Sequence, residues 1–384
     1  MKILVINCGS SSVKYRLFEV KKRSAYTVLA KGLIEKIGQK MQLFSHYPQG
    51  KPHIENKKVE APDHRKAIRL IISYLADKAQ YRVLDSHKEI DAVGHRIVHA
   101  GETYTQSCLI NEKVKRVIRE YSKFAPLHNP VNLQGIIACQ KELKGIKQVA
   151  VFDTAFGQTM QPHAYIYAIP YKYYKKDNIR RYGFHGTSHR YVSMKANEML
   201  KKTKKSPRII TCHLGNGCSI SAVKNGKCID TSMGLTPLEG LMMGTRSGDL
   251  DPAILLYLMQ EKKITAHQMD DILNKKSGLL GVSGFSNDMR DIIEAVKKNN
   301  KQAKLAFDIF IYRIKKYIGA YIAALGGIDA IVFTGGIGEN VSLVRKRITK
   351  GINDYLASKV KILVIPTDEE YMIAHDTYKL IKKK

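Results

Sequence analysis

ILVINCGSSSVKY, residues 3–15, breaks an apolar run with one glycine and three serines, then sets a lysine on the returning segment. Val, Ile and Tyr around Gly/Ser punctuation read as two strands joined by a tight turn. A plain hairpin has no use for three hydroxyls and a cation about one glycine. A phosphate does, because it takes backbone N–H groups from a Gly-permitted turn, donor hydroxyls and a point charge. The same pattern returns in IITCHLGNGCSISAVKNG, residues 209–226. At one offset of 206, Asn7 falls on His213, Gly9 on Gly215, Ser10 on Asn216 and Ser12 on Cys218. That offset is a little over half the chain. Two similar halves, each with a phosphate-type turn, are the expected architecture.

The 384 residues exceed the size at which one core usually stops growing, which favours two domains. Strands are expected at Ile3–Asn7, Ser12–Val20, Tyr26–Gly32, Ala92–Val98 and Gln148–Phe152. Helices are expected near Arg65–Lys78, Glu112–Ser122 and Val131–Lys141, the last entered through His128-Asn129-Pro130. Residues 38–63 read as a hairpin plus loop. Alternation of this kind points to α/β layering. In the second half, the apolar strand Ala330–Phe333 runs into Thr334-Gly335-Gly336-Ile337-Gly338-Glu339-Asn340, with a helical pattern from about Val341. A Gly-rich turn between strand and helix is where backbone approaches phosphate. It lacks the third glycine of a dinucleotide fingerprint, and the chain has no GxxxxGKS or GxxxxGKT loop.

Composition narrows the classes. The hydrophobic share of 44% and charged share of 26% suit a soluble globular protein. No leader and no apolar run long enough to span a bilayer is expected. The six cysteines form no CxxC pair and read as reduced, mostly buried thiols of a cytosolic protein. The net charge of +30 invites a nucleic-acid reading. Its clusters, Lys21–Arg23, Lys201–Lys205 and Lys382–Lys384, are spread along the chain without interleaved aromatics, so a solvated basic surface is the preferred account. His95 and His99 stand four apart in a strand with no clear third ligand, which argues against zinc.

Ten motifs carry a family resemblance: INCGSSSVKY, GHRIVHAGE, FAPLHNPVNL, FDTAFGQTM, RRYGFHGTSHRYV, HLGNGCSISAVKNG, SMGLTPLEGLMMGTRSGDLDP, NDMRD, TGGIGEN and IPTDEEYMIA. In this order, from about residue 6 to 374, the chain resembles the acetate kinases of the actin-like superfamily. The resemblance implies an α/β chain of two duplicated actin-like (ribonuclease H-like) domains with an ATP cleft between them. Residues 1–152 with a C-terminal helix 370–384 would form one domain, and 153–369 the nucleotide-binding one. It implies a cytoplasmic homodimer that reversibly transfers phosphoryl from ATP to acetate, giving acetyl phosphate and ADP, with Mg²⁺ or Mn²⁺.

A carboxylate is ionised at neutral pH and needs no general base. The reaction instead needs cations that orient it and spread the charge of a metaphosphate-like transition state. Arg96, inside an apolar strand, and Arg246, in GTRSGD, stand in unusual settings for surface charges, and a guanidinium fork suits either anion. By resemblance they contact carboxylate and phosphoryl. His185, ahead of a helix that Ser188 could cap, is similar to the histidine that stabilises the transition state, with His128 in a smaller part. Asp153, at a strand end, is expected to position Arg or Mg²⁺. The resemblance assigns the metal to Asn7 and Glu369, and the acyl tail to Val98, Leu127, Phe184 and Pro237. It gives ATP to Ser10, Ser12, Lys14, His213, Leu214, Gly215, Asn216, Gly217, Asp288, Met289, Arg290, Gly335, Gly336, Ile337, Gly338 and Glu339. The chain departs from the common pattern at Gly157, where FDTAFH is usual, and at Ala100 and Val131. Propionate kinase is the nearest alternative function. An actin-like ATPase without a carboxylate substrate is a more distant one.

Overall fold

The opening hairpin forms as its spacing predicts and becomes the middle of a sheet. In the computed structural model, which describes residues 1–22, 25–200, 206–356 and 359–382, β1 (Lys2–Gly9) pairs antiparallel with β2 (Ser12–Lys22). Arg23, Lys201 to Lys205, Lys383 and Lys384 of the basic clusters lie outside the described residues. The chain divides into two compact units, Met1–Ala155 with Asp368–Lys384, and Phe156–Thr367.

In the first unit β3 (Ala25–Glu35), β4 (Gln42–Pro48) and β5 (Ile54–Val59) extend the hairpin as an antiparallel meander. β6 (Ala92–Ile97), β7 (Cys108–Leu109) and β8 (Lys147–Phe152) complete the order β5-β4-β3-β2-β1-β6-β8-β7, with β1, β6 and β8 parallel. β1 reads as an unbroken apolar run because both its faces are covered. Leu4, Ile6 and Cys8 pack with Ile68, Ile71 and Leu75 of helix His64–Ala76 and with Ala138 and Cys139 of helix Asn129–Glu142. Ile3 and Val5, one residue out of phase, pack with Ile373, Ala374 and Tyr378 of helix Glu369–Lys382. That helix lies so close to β6 that a Cβ on Gly94 would stand 2.5 Å from Thr377 Oγ1. Asp63 caps the first helix by accepting the Lys66 N–H at 2.7 Å.

In the second unit β9 (Arg208–Leu214), β10 (Cys218–Lys224), β11 (Lys227–Thr231), β12 (Ala330–Thr334) and β13 (Lys361–Val364) form a sheet of order β11-β10-β9-β12-β13. Its first three strands are antiparallel and β9, β12 and β13 are parallel, the same wiring as β3-β2-β1-β6-β8. The sequence echo is therefore a repeat of topology. The two hairpins differ by one step of register. Gly9 faces Ser12, whereas Leu214 faces Cys218, so the second turn, Gly215-Asn216-Gly217, is one residue longer than Ser10-Ser11. Helix Gly186–Leu200 covers one face through Val192, Ala196 and Leu200, and helix Lys301–Leu325 packs against β9, β10 and β11.

Two local expectations change. The residues after β12 are no open turn: helix Gly335–Asn340 starts at once, and Ser342–Thr349 follows it. Gly335 makes this junction possible, with φ 77° and a Cβ position only 2.7 Å from the Leu214 carbonyl oxygen. Ser188 does not cap its helix, which already begins at Gly186; its hydroxyl turns to His213. No helix among the described residues is long and apolar enough to cross a membrane.

Candidate active site

In the first unit the groups gather around Arg96. Strand β6 carries its guanidinium to the end of β8, where Nη2 donates to Asp153 Oδ2 at 2.5 Å. Nε lies 3.5 Å from Glu369 Oε2, and Nη1 lies 3.5 Å from the amide oxygen of Asn7. Burial works against the charge of Arg96, but Asp153, Glu369 and Glu370 outweigh it and push its pKa above the ordinary value. Burial raises the Glu369 carboxyl to about 7, with Arg96 and Lys14 opposing and Asp153 and Glu370 adding to the rise. Asp153 is 1% exposed. The Ser10-Ser11 turn is fixed from behind: His64 Nε2 lies 2.8 Å from the Gly9 carbonyl oxygen and Asn132 donates to that of Cys8 at 2.9 Å. Ser10 and Lys14 are exposed and Ser12 is half-buried.

In the second unit the corresponding place is taken by imidazoles and an arginine. His185 sits in the left-handed region, φ 54°, just before helix Gly186–Leu200. Its ring stacks on His213 at 4.2 Å, and its Nδ1 lies 2.9 Å from Ser219 Oγ on β10. Its Nε2 and Arg246 Nη1 flank one gap, lying 3.6 and 3.7 Å from where a Cβ on Gly217 would stand. Arg246 is half-buried, and among the described residues its side chain donates only to the Pro237 carbonyl at 3.4 Å and the Met243 sulfur at 3.8 Å. Among the described residues no carboxylate lies within ion-pair distance of it. Burial lowers its pKa.

The loop carrying Pro237 and Arg246 is held by Arg181, four residues before His185. Its guanidinium donates to the carbonyls of Thr231 at 2.9 Å and Ser232 at 3.2 Å, and to Glu239 at 2.5 Å. Glu239 also accepts from Tyr167, and Asp249 accepts from Tyr317 at 2.6 Å and from Gly240 N at 2.8 Å. Buried charges paired this way fix a loop that has no strand partner.

Beside the Gly215-Asn216-Gly217 turn lies a cavity of about 540 Å³, lined by Gly215, Asn216, Asp288, Met289, Arg290, Gly336 and Ile337. Its polar rim is locked. Asp288 caps helix Met289–Lys297 and pairs with Arg290 at 2.6 Å, which holds its carboxyl down to about 2. Asn287 donates to Asn216 Oδ1 at 2.9 Å.

The model of the acetokinase family matches residues 2–355. The chain is 53% identical to an acetate kinase of Caldanaerobacter subterraneus, with 100% of this chain and 99% of that one covered. The chain belongs to the acetokinase family. Among solved structures it resembles the acetate kinase of Porphyromonas gingivalis, with 48% identity, 99% of each chain covered and a TM-score of 0.89. It also resembles a propionate kinase from Francisella tularensis, with 42% identity, 99% of each chain covered and a TM-score of 0.87.

For this acetokinase-family chain the structure sorts the candidate residues by unit. Asn7, Ser10, Ser12, Lys14, Arg96, Asp153 and Glu369 fall in the first unit. The boundaries read from the sequence put Asp153 and Glu369 in the second domain, but both sit with Arg96, whose ion pairs tie them to the first sheet. His185, Arg246 and the candidate nucleotide groups from His213 onward, up to Glu339, fall in the second. Of the candidate acyl-binding residues, Val98 and Phe184 are buried and Leu127 is 63% exposed. Glu339 does not line the cavity; it accepts from Gly335 N at 2.8 Å, Thr334 Oγ1 at 3.1 Å and Thr367 N at 3.2 Å, and so staples the start of its helix. Asn287, Asn340 and Val341 line the cavity without having been singled out. Asn287 opens NDMRD and Asn340 closes TGGIGEN, so adjacency to a motif was the available signal.

The departures from the family pattern have local reasons. A Cβ on Gly157 would meet the Tyr182 carbonyl oxygen at 2.0 Å, so Gly157 packs directly on backbone that leads to His185. Ala100 is buried beside Ile97 and Val114, and Val131 packs against the core on helix Asn129–Glu142. His95 is hydrogen-bonded to Gln148 at 2.8 Å and His99 stacks on Tyr121, which accounts for both without a metal. Among the described residues no three His, Cys, Asp or Glu side chains group as a metal site. The oxygens of Asn7 and Glu369 are each 3.5 Å from a nitrogen of Arg96, so both belong to the polar cluster of the first unit.

Proposed function

We propose that this chain is an acetate kinase: it transfers the terminal phosphoryl of ATP to acetate, giving acetyl phosphate and ADP, reversibly and by direct in-line displacement. One observation carries the reading. Arg246 is a half-buried cation with no carboxylate partner among the described residues, set beside Nε2 of His185. A guanidinium so placed is short of an anion, and an incoming phosphoryl or carboxylate would restore its lost solvation. The acetate oxygen attacks the γ-phosphorus while the bond to the ADP oxygen breaks. No proton moves, since the carboxylate is already ionised. Asp153 therefore serves to orient Arg96 rather than to act as a base. Arg96 takes the carboxylate, Arg246 and His185 take the transferring phosphoryl, and the cavity at Asp288, Arg290 and Gly336 takes the nucleotide. Asn7 and Glu369 would hold Mg²⁺ or Mn²⁺, which when bound neutralises phosphate charge.

Propionate is the second reading, favoured by the likeness to the Francisella propionate kinase. One methylene is worth only about 1–3 kcal/mol of discrimination. A homodimer in the cytoplasm completes the proposal. Helix Pro252–Glu261 buries none of its residues and exposes Ile254, Leu256 and Tyr257, a face suited to a second copy. The test is hydroxylamine trapping of acyl phosphate formed from Mg·ATP with acetate, propionate and butyrate in parallel. The highest kcat/KM is expected with acetate. A propionate preference moves the specificity and keeps the chemistry. ATP hydrolysis with no trapped product from any acid overturns the proposal in favour of an actin-like ATPase.

A further inference from the structure

A line of side chains runs inward from His185. Its Nδ1 is 2.9 Å from Ser219 Oγ, which is 2.7 Å from Nε2 of His189; Nδ1 of His189 is 2.7 Å from Thr211 Oγ1. Thr211 in turn donates to the Ser221 carbonyl at 3.4 Å. The bonds are oriented here from the inner end, with the Thr211 proton placed on the Ser221 carbonyl. A carbonyl only accepts, and a hydroxyl has one proton to give. With its proton on Ser221, Thr211 can only accept from His189, so His189 carries its hydrogen on Nδ1. His189 is fully buried, and burial, with His213 nearby, holds its pKa well below the ordinary value, so the ring is neutral. Its Nε2 is then bare and takes the Ser219 proton. The Ser219 oxygen is left to accept from His185.

We infer that Thr211, His189 and Ser219 form a polarised relay that holds His185 with its hydrogen on Nδ1, so that every proton the ring gains or loses is exchanged at Nε2, the atom facing Arg246 across the Gly217 gap. This rests on the reading of His185 as a group that meets the transferring phosphoryl. The relay residues are positioning residues. They touch no substrate, and they fix which ring nitrogen and which edge of His185 face the reaction. Free neutral imidazole divides between two tautomers, and a ring with the other one would turn a permanent N–H toward the gap and a bare nitrogen toward Ser219.

The test is the two-bond proton–nitrogen correlation spectrum of the histidine-labelled protein, taken far enough to the alkaline side that the rings are neutral. His185 signals are assigned by their loss in His185→Asn. Wild type is expected to show Nδ1–H for both His185 and His189. Ser219→Ala should release His185 into a tautomer mixture and lower kcat roughly tenfold, the worth of one charge-assisted hydrogen bond, with little change in KM. Thr211→Val keeps the side-chain shape in the core and should invert His189 and, through Ser219, His185, so it carries the test if Ser219→Ala fails to fold. An Nε2–H tautomer for His185 in wild type, or an unchanged His185 in both variants, overturns the relay. The spectrum does not depend on turnover. A correct tautomer without acyl phosphate formation would sink the proposed function and leave the relay standing; the reverse result would do the opposite.

Discussion

Arg96 and Arg246 are both arginines drawn out of water, and the two units hold them by opposite means. Arg96 is clamped by Asp153 and Glu369, so its charge is compensated before any ligand arrives. Arg246 rests on a carbonyl and a thioether, in a loop fastened by the charges of Arg181 and Glu239, and has no carboxylate partner among the described residues. A compensated cation is a rigid guide for a small anion. On the proposed reading, an uncompensated one keeps its attraction for charge that develops during transfer. The first unit pairs its arginine with carboxylates; the second leaves its arginine without one among the described residues.

The largest expected effect breaks the receptive side. Arg246→Ala should lower kcat for acyl phosphate formation by on the order of 10³ with the fold retained, as for loss of one transition-state donor. Near-wild-type turnover would remove Arg246 from the site. The stability comparison is sharper because its sign differs between the two arginines. Arg96→Met takes the guanidinium away from the buried Asp153 carboxylate and should cost about 3 kcal/mol in denaturant unfolding, whereas Arg246→Met should leave stability unchanged or raise it by about 1 kcal/mol. Equal losses in the two variants would erase the contrast drawn above.

Gly157 tests whether the second unit's histidine depends on packing. Gly157→Ala puts a methyl carbon against the Tyr182 carbonyl and should cost about 2 kcal/mol, with kcat falling as His185 is displaced. An unaffected variant would mean the segment yields freely. The smallest effect concerns pH in the ligand-free protein. Glu369, raised to about 7 by burial, binds a proton more tightly folded than unfolded, so its contribution is present below the unfolded value and lost as pH rises toward 7. Glu369→Gln should therefore match wild type near the ordinary carboxyl pKa and gain on it by about 1–2 kcal/mol above pH 7. His46 and His95, lowered to about 4 by burial, act with the opposite sign and make both proteins less stable as pH falls from 6.5 toward 4. A difference between the two proteins that does not grow with pH would count against a half-buried, proton-binding Glu369.

Much of this was legible residue by residue. The apolar run of β1, the hairpin at residues 38–63 and the position of Asp153 at a strand end follow from hydrophobic pattern and punctuation, which act over a few residues. The helix at Gly335 was misread as a turn because glycines rarely start helices without a neighbouring chain that forbids a Cβ, here Leu214. Nothing local shows that Ser188 does not cap its helix, because the partner of its hydroxyl, His213, is 25 residues away along the chain. Nothing local marks Arg181, because its partners, Thr231, Ser232 and Glu239, lie far along the chain.

The chain by itself determined its strands, its internal repeat and its family, because those rest on short-range pattern and on motifs in fixed order. Only the tertiary structure decided which arginine is paired and which is left receptive, and in which direction the hydrogen bonds run behind His185. Those properties depend on burial and on atoms brought together from distant segments. Electrostatic energy is set by distance and solvent exposure, and neither quantity exists until the chain has folded.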